Sequence, residues 1–387
     1  MFSQRTNWRL TPNALSLAIE QARASGQKIL DLTVSNPTEA GVRPDAEIVL
    51  AALTNPEAMH YDPQPRGLLG ARQAVCQYYR EAHDVDLDPE RLILTISTSE
   101  AYSYVFRLLC NPGDEILVPK PSYPLFEFLA DLADVKLVPY PLLYDHGWQI
   151  DLDSLYKAAT VRSRAVILVH PNNPTGSFVS VAEGAALNAF CADRGLALIV
   201  DEVFLDYSHD GSPRRSFVTN ADALTFTLSG VSKISALPQM KLAWVATSGS
   251  EEMVAEAGAR LEIIADTFLS MNAPVQLAAA VLLDQRKQIQ PLLCDRLRVN
   301  LAELDRQLAG HPSCARLMVE GGWYVVLRVP AIESDEDLAI GLLREASVIV
   351  HPGHFYDFPN EGHLVLSLIT EPAVFREGVA RMLEVVE

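Results

Sequence analysis

The 387-residue sequence predicts an α/β fold: a large domain on a mostly parallel, seven-stranded-type sheet flanked by helices, with a smaller α+β domain. Three observations carry this. From Pro89 onward strand and helix patterns alternate, as they do in a layered α/β unit. Strands such as RAVILVH and LALIV are apolar without alternation, which fits strands covered on both faces. The C-terminal stretch changes character, with ARLMV, GGWYVVLRV, SVIVHPG and HLVLSLI reading as strands of a separate, smaller unit.

In chain order, Thr11-Pro12 reads as an N-cap followed by proline at the first helical position. Leu15, Leu17, Ala18 and Ala22 give that helix an apolar side, and Gly26 stops it. Residues 28–35 (KILDLTVS) read as a strand ending in the turn Asn36-Pro37-Thr38. Helical patterns follow at 46–53 and 69–81, separated by YDPQPRG with Tyr61 and Gly67. RLILTI runs into the helix STSEAYSYVFRLL, EILVP into PSYPLFEFLADL, and VKLVPY into a polar helix near 152–159. RAVILVH leads to PNNPTG, a helix spans 181–194, and LALIVDEVF follows Gly195. ALTFTLS then delivers the chain to Lys233. Long helical patterns occupy 251–310, and a helix over 373–386 closes the chain.

Lys+Arg 31 against Asp+Glu 49 gives a net charge of −18, which argues against nucleic acid and acidic membrane surfaces as partners. The five cysteines are scattered and without metal spacing, so a reduced, cytoplasmic protein and no metal site are expected. The start MFSQRTNWRL lacks the apolar core of a signal peptide, and no apolar run approaches the roughly 20 residues a membrane span needs.

Parallel sheets place ligands beyond the carboxyl ends of their strands. There the sequence puts Ser97-Thr98-Ser99, Ser122-Tyr123-Pro124, Asn172-Asn173-Pro174-Thr175-Gly176, Asp201, and Ser229 to Lys233. Taken singly each has a plain reading. Ser or Thr before a helix is a cap, NNPTG a turn, Tyr123 a half-buried aromatic, and Lys233 with Lys241 a pair of solvated lysines. Asp201 resists this, because a carboxylate deep in a sheet needs a charged partner. A desolvated lysine is also a way to make a nucleophilic amine.

The order NNPTG, DEVF, SGVSK resembles the class I/II aminotransferases of fold type I, which use pyridoxal 5′-phosphate (PLP), and the resemblance runs from SNPT at residue 35 to the C-terminal strand. It implies a Schiff base between Lys233 and PLP, and Asp201 paired with the pyridine nitrogen, which keeps the ring an electron acceptor. It implies Asn173 on the 3′-oxygen and Tyr123 stacked on the ring. Ser97, Thr98, Ser99, Ser232 and Lys241 would cradle the phosphate, joined by Tyr61 of a neighbouring subunit in a homodimer with shared active sites. Asn36, Asn173, Trp323 and His354 are the substrate-side candidates. The implied division is 1–48 as N-terminal arm and part of the small domain, 49–285 as the large PLP-binding domain and 286–387 as the small domain. The implied reaction is amino transfer between an amino acid and a 2-oxo acid. The alternative is a PLP lyase, decarboxylase or cyclase on the same scaffold; a non-catalytic PLP-binding regulator is disfavoured by the acidic charge.

Three departures from the family pattern stand out. Phe204 replaces a tyrosine that would bond the 3′-oxygen. Lys241 replaces a phosphate-gripping arginine, giving charge without a planar fork. Val365, Leu366 and Ser367 stand where the family carries its carboxylate-binding arginine, and the sequence names no substitute; Arg328, Arg344 and the HPGHF histidines His351 and His354 are the residues to locate.

Overall fold

Eight strands form the central sheet in the computed structural model, which describes residues 1–386. Across the sheet they run Leu92–Thr95, Ala243–Ser248, Thr225–Gly230, Ala197–Asp201, Ser163–Val169, Glu115–Lys120, Lys136–Tyr144 and Trp148–Ile150. The five from Thr225–Gly230 to Lys136–Tyr144 are parallel. Ala243–Ser248 is antiparallel to both its neighbours, which makes Leu92–Thr95 point the same way as the five. The eighth strand corrects the expected seven. Trp148–Ile150 folds back antiparallel onto Leu142 to Tyr144 after a turn in which His146 takes φ 52°; three residues are too short a run for periodicity to reveal.

Side chains alternate between two covered faces. Ile116, Ile167, Ile199 and Phe226 meet Ala101, Val105 and Leu261 on one side. Leu117, Val166 and Leu198 meet Leu187 and Cys191 on the other. Fully burying an Ile or Leu contributes about 1.5–3 kcal/mol, which is why these strands read as unbroken apolar runs.

The C-terminal strands form a four-stranded antiparallel sheet, Ala315–Arg316, Tyr324–Arg328, His363–Ser367 and His351–Pro352. Leu30–Asp31 pairs in parallel with Val348–Ile349, so the N-terminal segment packs with the C-terminal sheet. The strand expected over 28–35 is shorter than its pattern. Beyond Asp31 the chain stays extended, and Ser367 donates from its backbone N to Leu32 O (2.7 Å) and from Oγ to Val34 O (2.5 Å). The first helix, Ala14–Ala24, also starts later than expected: Asn13 caps it, its Oδ1 accepting from Ser16 N at 2.7 Å. No helix of the described residues is long and apolar enough to cross a membrane.

Gly230 ends the strand that leads to Lys233. Its φ of 178° is open to any residue, but a Cβ there would stand 2.9 Å from Ala243 Cβ and 2.9 Å from Leu242 O. Gly230→Ala is therefore expected to destabilise the protein by about 1–3 kcal/mol, read as a lower urea midpoint at unchanged slope.

Candidate functional site

The topology gathers the singled-out residues along one sheet edge. Because Leu92–Thr95 and the parallel strands end on the same side, Ser97, Lys233, Asp201, Asn173 and Tyr123 follow strand ends there in that order across the sheet, with only the antiparallel Ala243–Ser248 between the first two. The antiparallel Ala243–Ser248 begins at that edge, which brings Lys241 to it from the other direction.

Lys233 lies in the short helix Val231–Ile234. Its Nζ sits 4.8 Å from the Trp323 ring centroid and 5.5 Å from that of Phe204. Burial among these rings lowers its pKa to about 8, with Asp201 opposing the shift. Its carbonyl accepts from Tyr207 Oη (2.6 Å), and Gln290 Nε2 donates to Ile234 O (3.1 Å), so the backbone behind the amine is held from two sides. Asp201 is pushed up to about 6 by burial, against the Val203 N–H, the Tyr102 hydroxyl and Lys233. Tyr102 Oη donates to Asp201 Oδ2 at 3.2 Å, and Val203 N to Oδ1 at 3.1 Å. Neither donor is a cation, so the carboxylate is set to receive one. Two buried polar atoms nearby in the chain's motifs, Asn173 Oδ1 and Trp323 Nε1, have no hydrogen-bond partner. Phe204 is buried and packs edge-on to Trp323 at 5.3 Å.

At the other end, Ser97 caps the twelve-residue helix Thr98–Leu109 through Oγ, which accepts from Glu100 N at 3.1 Å. The N–H groups of the first turn beyond it suit an anion. Ser232 is partly buried and Lys241 exposed, the latter with φ 56°. Tyr61 is 79 % exposed and lines a groove of about 420 Å³ with Met59, Met271 and Asn272, a groove whose lining includes none of Ser97, Lys233, Asp201 or Asn173.

On the substrate side, Tyr123 is half-exposed beside the site, close enough to Asp201 to feel its charge. Asn36 spends its Oδ1 on its own turn, accepting from Thr38 N and Oγ1. Trp323 is fully buried. His354 faces solvent, whereas His351 turns inward, with Nδ1 3.0 Å from Tyr356 Oη. Arg328 is exposed, its guanidinium 5.7 Å from the Tyr144 ring, and Arg344 is exposed on its helix. Val365 is fully buried between Val326 and His351.

Tyr102, Tyr207 and Tyr324 escaped the sequence reading. Tyr102 follows Thr98 by four residues, one helical turn, and that spacing could have flagged it. Tyr324 reaches the site only through sheet pairing with Ser367, which no local pattern encodes.

Glu202, beside Asp201, is 1 % exposed and pushed up to about 7 by burial, opposed by bonds from Ser216 Oγ (2.6 Å) and Phe217 N (2.6 Å). Its ordinary value is 4.5, so between pH 4.5 and 7 the unfolded chain loses this proton first and stability falls as pH rises. Glu202→Gln keeps an acceptor for Phe217 and can donate to Ser216. It is expected to raise stability at pH 8 by up to about 3 kcal/mol and to change it little near pH 4.5, as thermal midpoints at the two pH values would report.

The model for aminotransferase class I and II matches residues 27–374. Glutamate-pyruvate aminotransferase AlaA of Haemophilus influenzae is 28% identical over 360 residues, 90% of this chain and 88% of that protein. Alanine aminotransferase of Mycobacterium tuberculosis is 28% identical over 361 residues, 90% of this chain and 83% of that protein. Among solved structures, alanine aminotransferase from Pyrococcus furiosus superposes with a TM-score of 0.89 at 23% identity, covering 100% of this chain and 99% of the other. A Thermus thermophilus aspartate aminotransferase double mutant gives 0.85 at 21%, covering 100% and 99%.

Proposed function

This chain belongs to the class I and II aminotransferase family, and from that premise we propose how its own residues divide the work. The activity is PLP-dependent transfer of an amino group between an amino acid and a 2-oxo acid. One observation carries the site: a lysine with its pKa lowered to about 8 and a carboxylate bonded only by neutral donors stand on adjacent strand ends. The residues fit the cofactor, since Asp201 is bonded only by neutral donors and the Asn173 side chain, whose Oδ1 has no partner, is not committed to the protein and can turn its amide N–H to the 3′-oxygen.

Lys233 Nζ would be the covalent anchor for PLP, Asp201 would accept the hydrogen bond of its protonated ring nitrogen and keep that proton in place, Asn173 would meet the 3′-oxygen and Tyr123 would lie against the ring. The first-turn N–H groups of Thr98 and Ser99, with Ser97, Ser232 and Lys241, would receive the phosphate. When bound, PLP supplies an electron sink for the substrate's Cα. When free, Lys233 Nζ would take the substrate's Cα proton and hand it back; a pKa near 8 leaves a useful share of free amine at neutral pH. Trp323 and Phe204 keep water from that nitrogen. Asn36, Trp323 and His354 remain substrate-side candidates, His354 from its exposed turn.

The exposed Met59 (92 %), Tyr61 and Ile263 support a homodimer in which Tyr61 enters the partner's phosphate cup; equilibrium sedimentation that finds a monomer at working concentration would remove this part. The division at 1–48, 49–285 and 286–387 is retained, with the first segment split between arm and small domain, and the five free cysteines support a reduced, cytoplasmic location. The lyase alternative is not favoured, because the relatives are named for amino transfer.

The test is an absorption spectrum of the purified protein as amino acids are added singly without acceptor, beginning with L-glutamate and L-alanine. The cofactor band is expected to convert with stoichiometric oxo acid, and pyruvate to reverse the change. Continuous product and ammonia without acceptor would overturn amino transfer.

A further inference from the structure

An amino acid brings a carboxylate into this cleft, and a carboxylate leaving water needs donors. The sheet register shows what stands there. On the strands Tyr324–Arg328 and His363–Ser367, Tyr324 pairs with Ser367 and Val326 with Val365, and Val365 pairs in turn with His351. Paired residues share a face, and residues two apart along a strand share it too. Tyr324, Val326, Val365, Ser367 and His351 therefore line one surface.

Tyr324 fixes which surface it is, for its ring lies edge-on to Phe204 at 6.2 Å, and Phe204 flanks the Lys233 amine. The Tyr324 hydroxyl lies near Ser35 and near that of Tyr123, and Tyr356 is near both phenols. Ser122 N donates to Tyr356 O at 3.0 Å, which ties the Tyr123 loop to the same cluster. His351 then bonds to Tyr356 through Nδ1. The guanidinium farther along the same strand face, Arg328, is committed to the exposed side against Tyr144.

We propose that His351 and the hydroxyl of Tyr356, with Tyr324 beside them, receive the substrate's carboxylate, a phenol–imidazole clamp doing what a guanidinium would do. In the neutral ring Tyr356 donates to Nδ1, which leaves Nε2–H as the donor available to the carboxylate. In the imidazolium Nδ1–H donates to Tyr356, freeing the phenol proton for the same oxygen pair. Recognition by one imidazole and phenols demands less of the anion's geometry than a bidentate fork. The site thus admits amino acids whose carboxylate is held end-on.

The clamp rests on the assignment of Lys233 and Asp201 to the cofactor and has its own test. The probe is 2-aminoisobutyrate, which has no Cα proton to lose, and its uncharged carboxamide; each is titrated spectroscopically into PLP-loaded wild type, His351→Phe and Tyr356→Phe. Hydrogen bonds to a charged group are strong enough that both variants are expected to bind the acid about 10- to 100-fold more weakly and the amide about equally well. With L-alanine, KM should rise by a similar factor while kcat moves about 3-fold or less. Equal losses for acid and amide, or none for either, would overturn the clamp while leaving the catalytic assignment intact. Failure of every amino acid to perturb the wild-type spectrum would remove both. Tyr356→Phe deletes one oxygen and keeps the ring, so it decides the matter if His351→Phe does not fold.

Discussion

Lys233→Ala is expected to lower turnover by about 10³-fold or more and to abolish the covalent cofactor chromophore, while the cofactor-free protein melts within a few degrees of wild type. A positioned general base alone is worth about 10²- to 10⁴-fold, and loss of the covalent anchor adds to it. The stability half reflects opposing effects. Burial lowers the Lys233 pKa from 10.5 to about 8. The unfolded chain therefore holds this proton more tightly, and below pH 8 the folded state is disfavoured by up to about 3 kcal/mol. Alanine relieves that penalty but gives up the stem's contacts with Trp323 and Phe204, an apolar loss of about 1–3 kcal/mol. The two nearly cancel. A variant that kept its chromophore and full turnover would remove Lys233 from the mechanism; one that failed to fold would contradict the cancellation.

That lysine was visible in the sequence for a physical reason, and so were its neighbours along the sheet edge. Apolar strands such as Ala197–Asp201 announce themselves by composition, and chain order dictates which residues stand just past each strand end. Asp201, Asn173 and Ser97 could thus be placed at one edge before any coordinates. The eighth strand could not, because Trp148–Ile150 depends on a left-handed turn at His146 rather than on a pattern. Nor could the depth of each histidine in HPGHF: His351 is turned in by its pairing with Val365 and His354 out by the 3-10 turn Gly353–Tyr356. Of the residues that hold Asp201 and Lys233 in place, only Tyr102 had a local cue, its one-turn spacing from Thr98. Tyr102, Tyr207 and Gln290 act across 99, 26 and 56 residues of sequence, and such contacts exist only once the layers have packed.

Asp201→Asn isolates the charge that those contacts support. Asparagine has nearly the same shape and can still accept from Val203 N, so the fold is expected to persist. The negative charge facing the cofactor's ring nitrogen is gone. Removing one partner from a buried ion pair costs about 3–5 kcal/mol, and kcat/KM is expected to fall by about 10²- to 10³-fold. The substitution has a second readout in the cofactor-free protein. Asp201 raises the Lys233 pKa, opposing burial; its loss should move the pH midpoint for modification of the Lys233 amine below about 8. Asp201→Glu restores the charge on a longer stem, so it should recover the midpoint more fully than the turnover. A glutamate variant as inactive as asparagine, with the Lys233 midpoint restored, would mean that position rather than charge limits the reaction. Wild-type rates in Asp201→Asn would mean that the carboxylate held by Tyr102 and Val203 serves only the sheet edge.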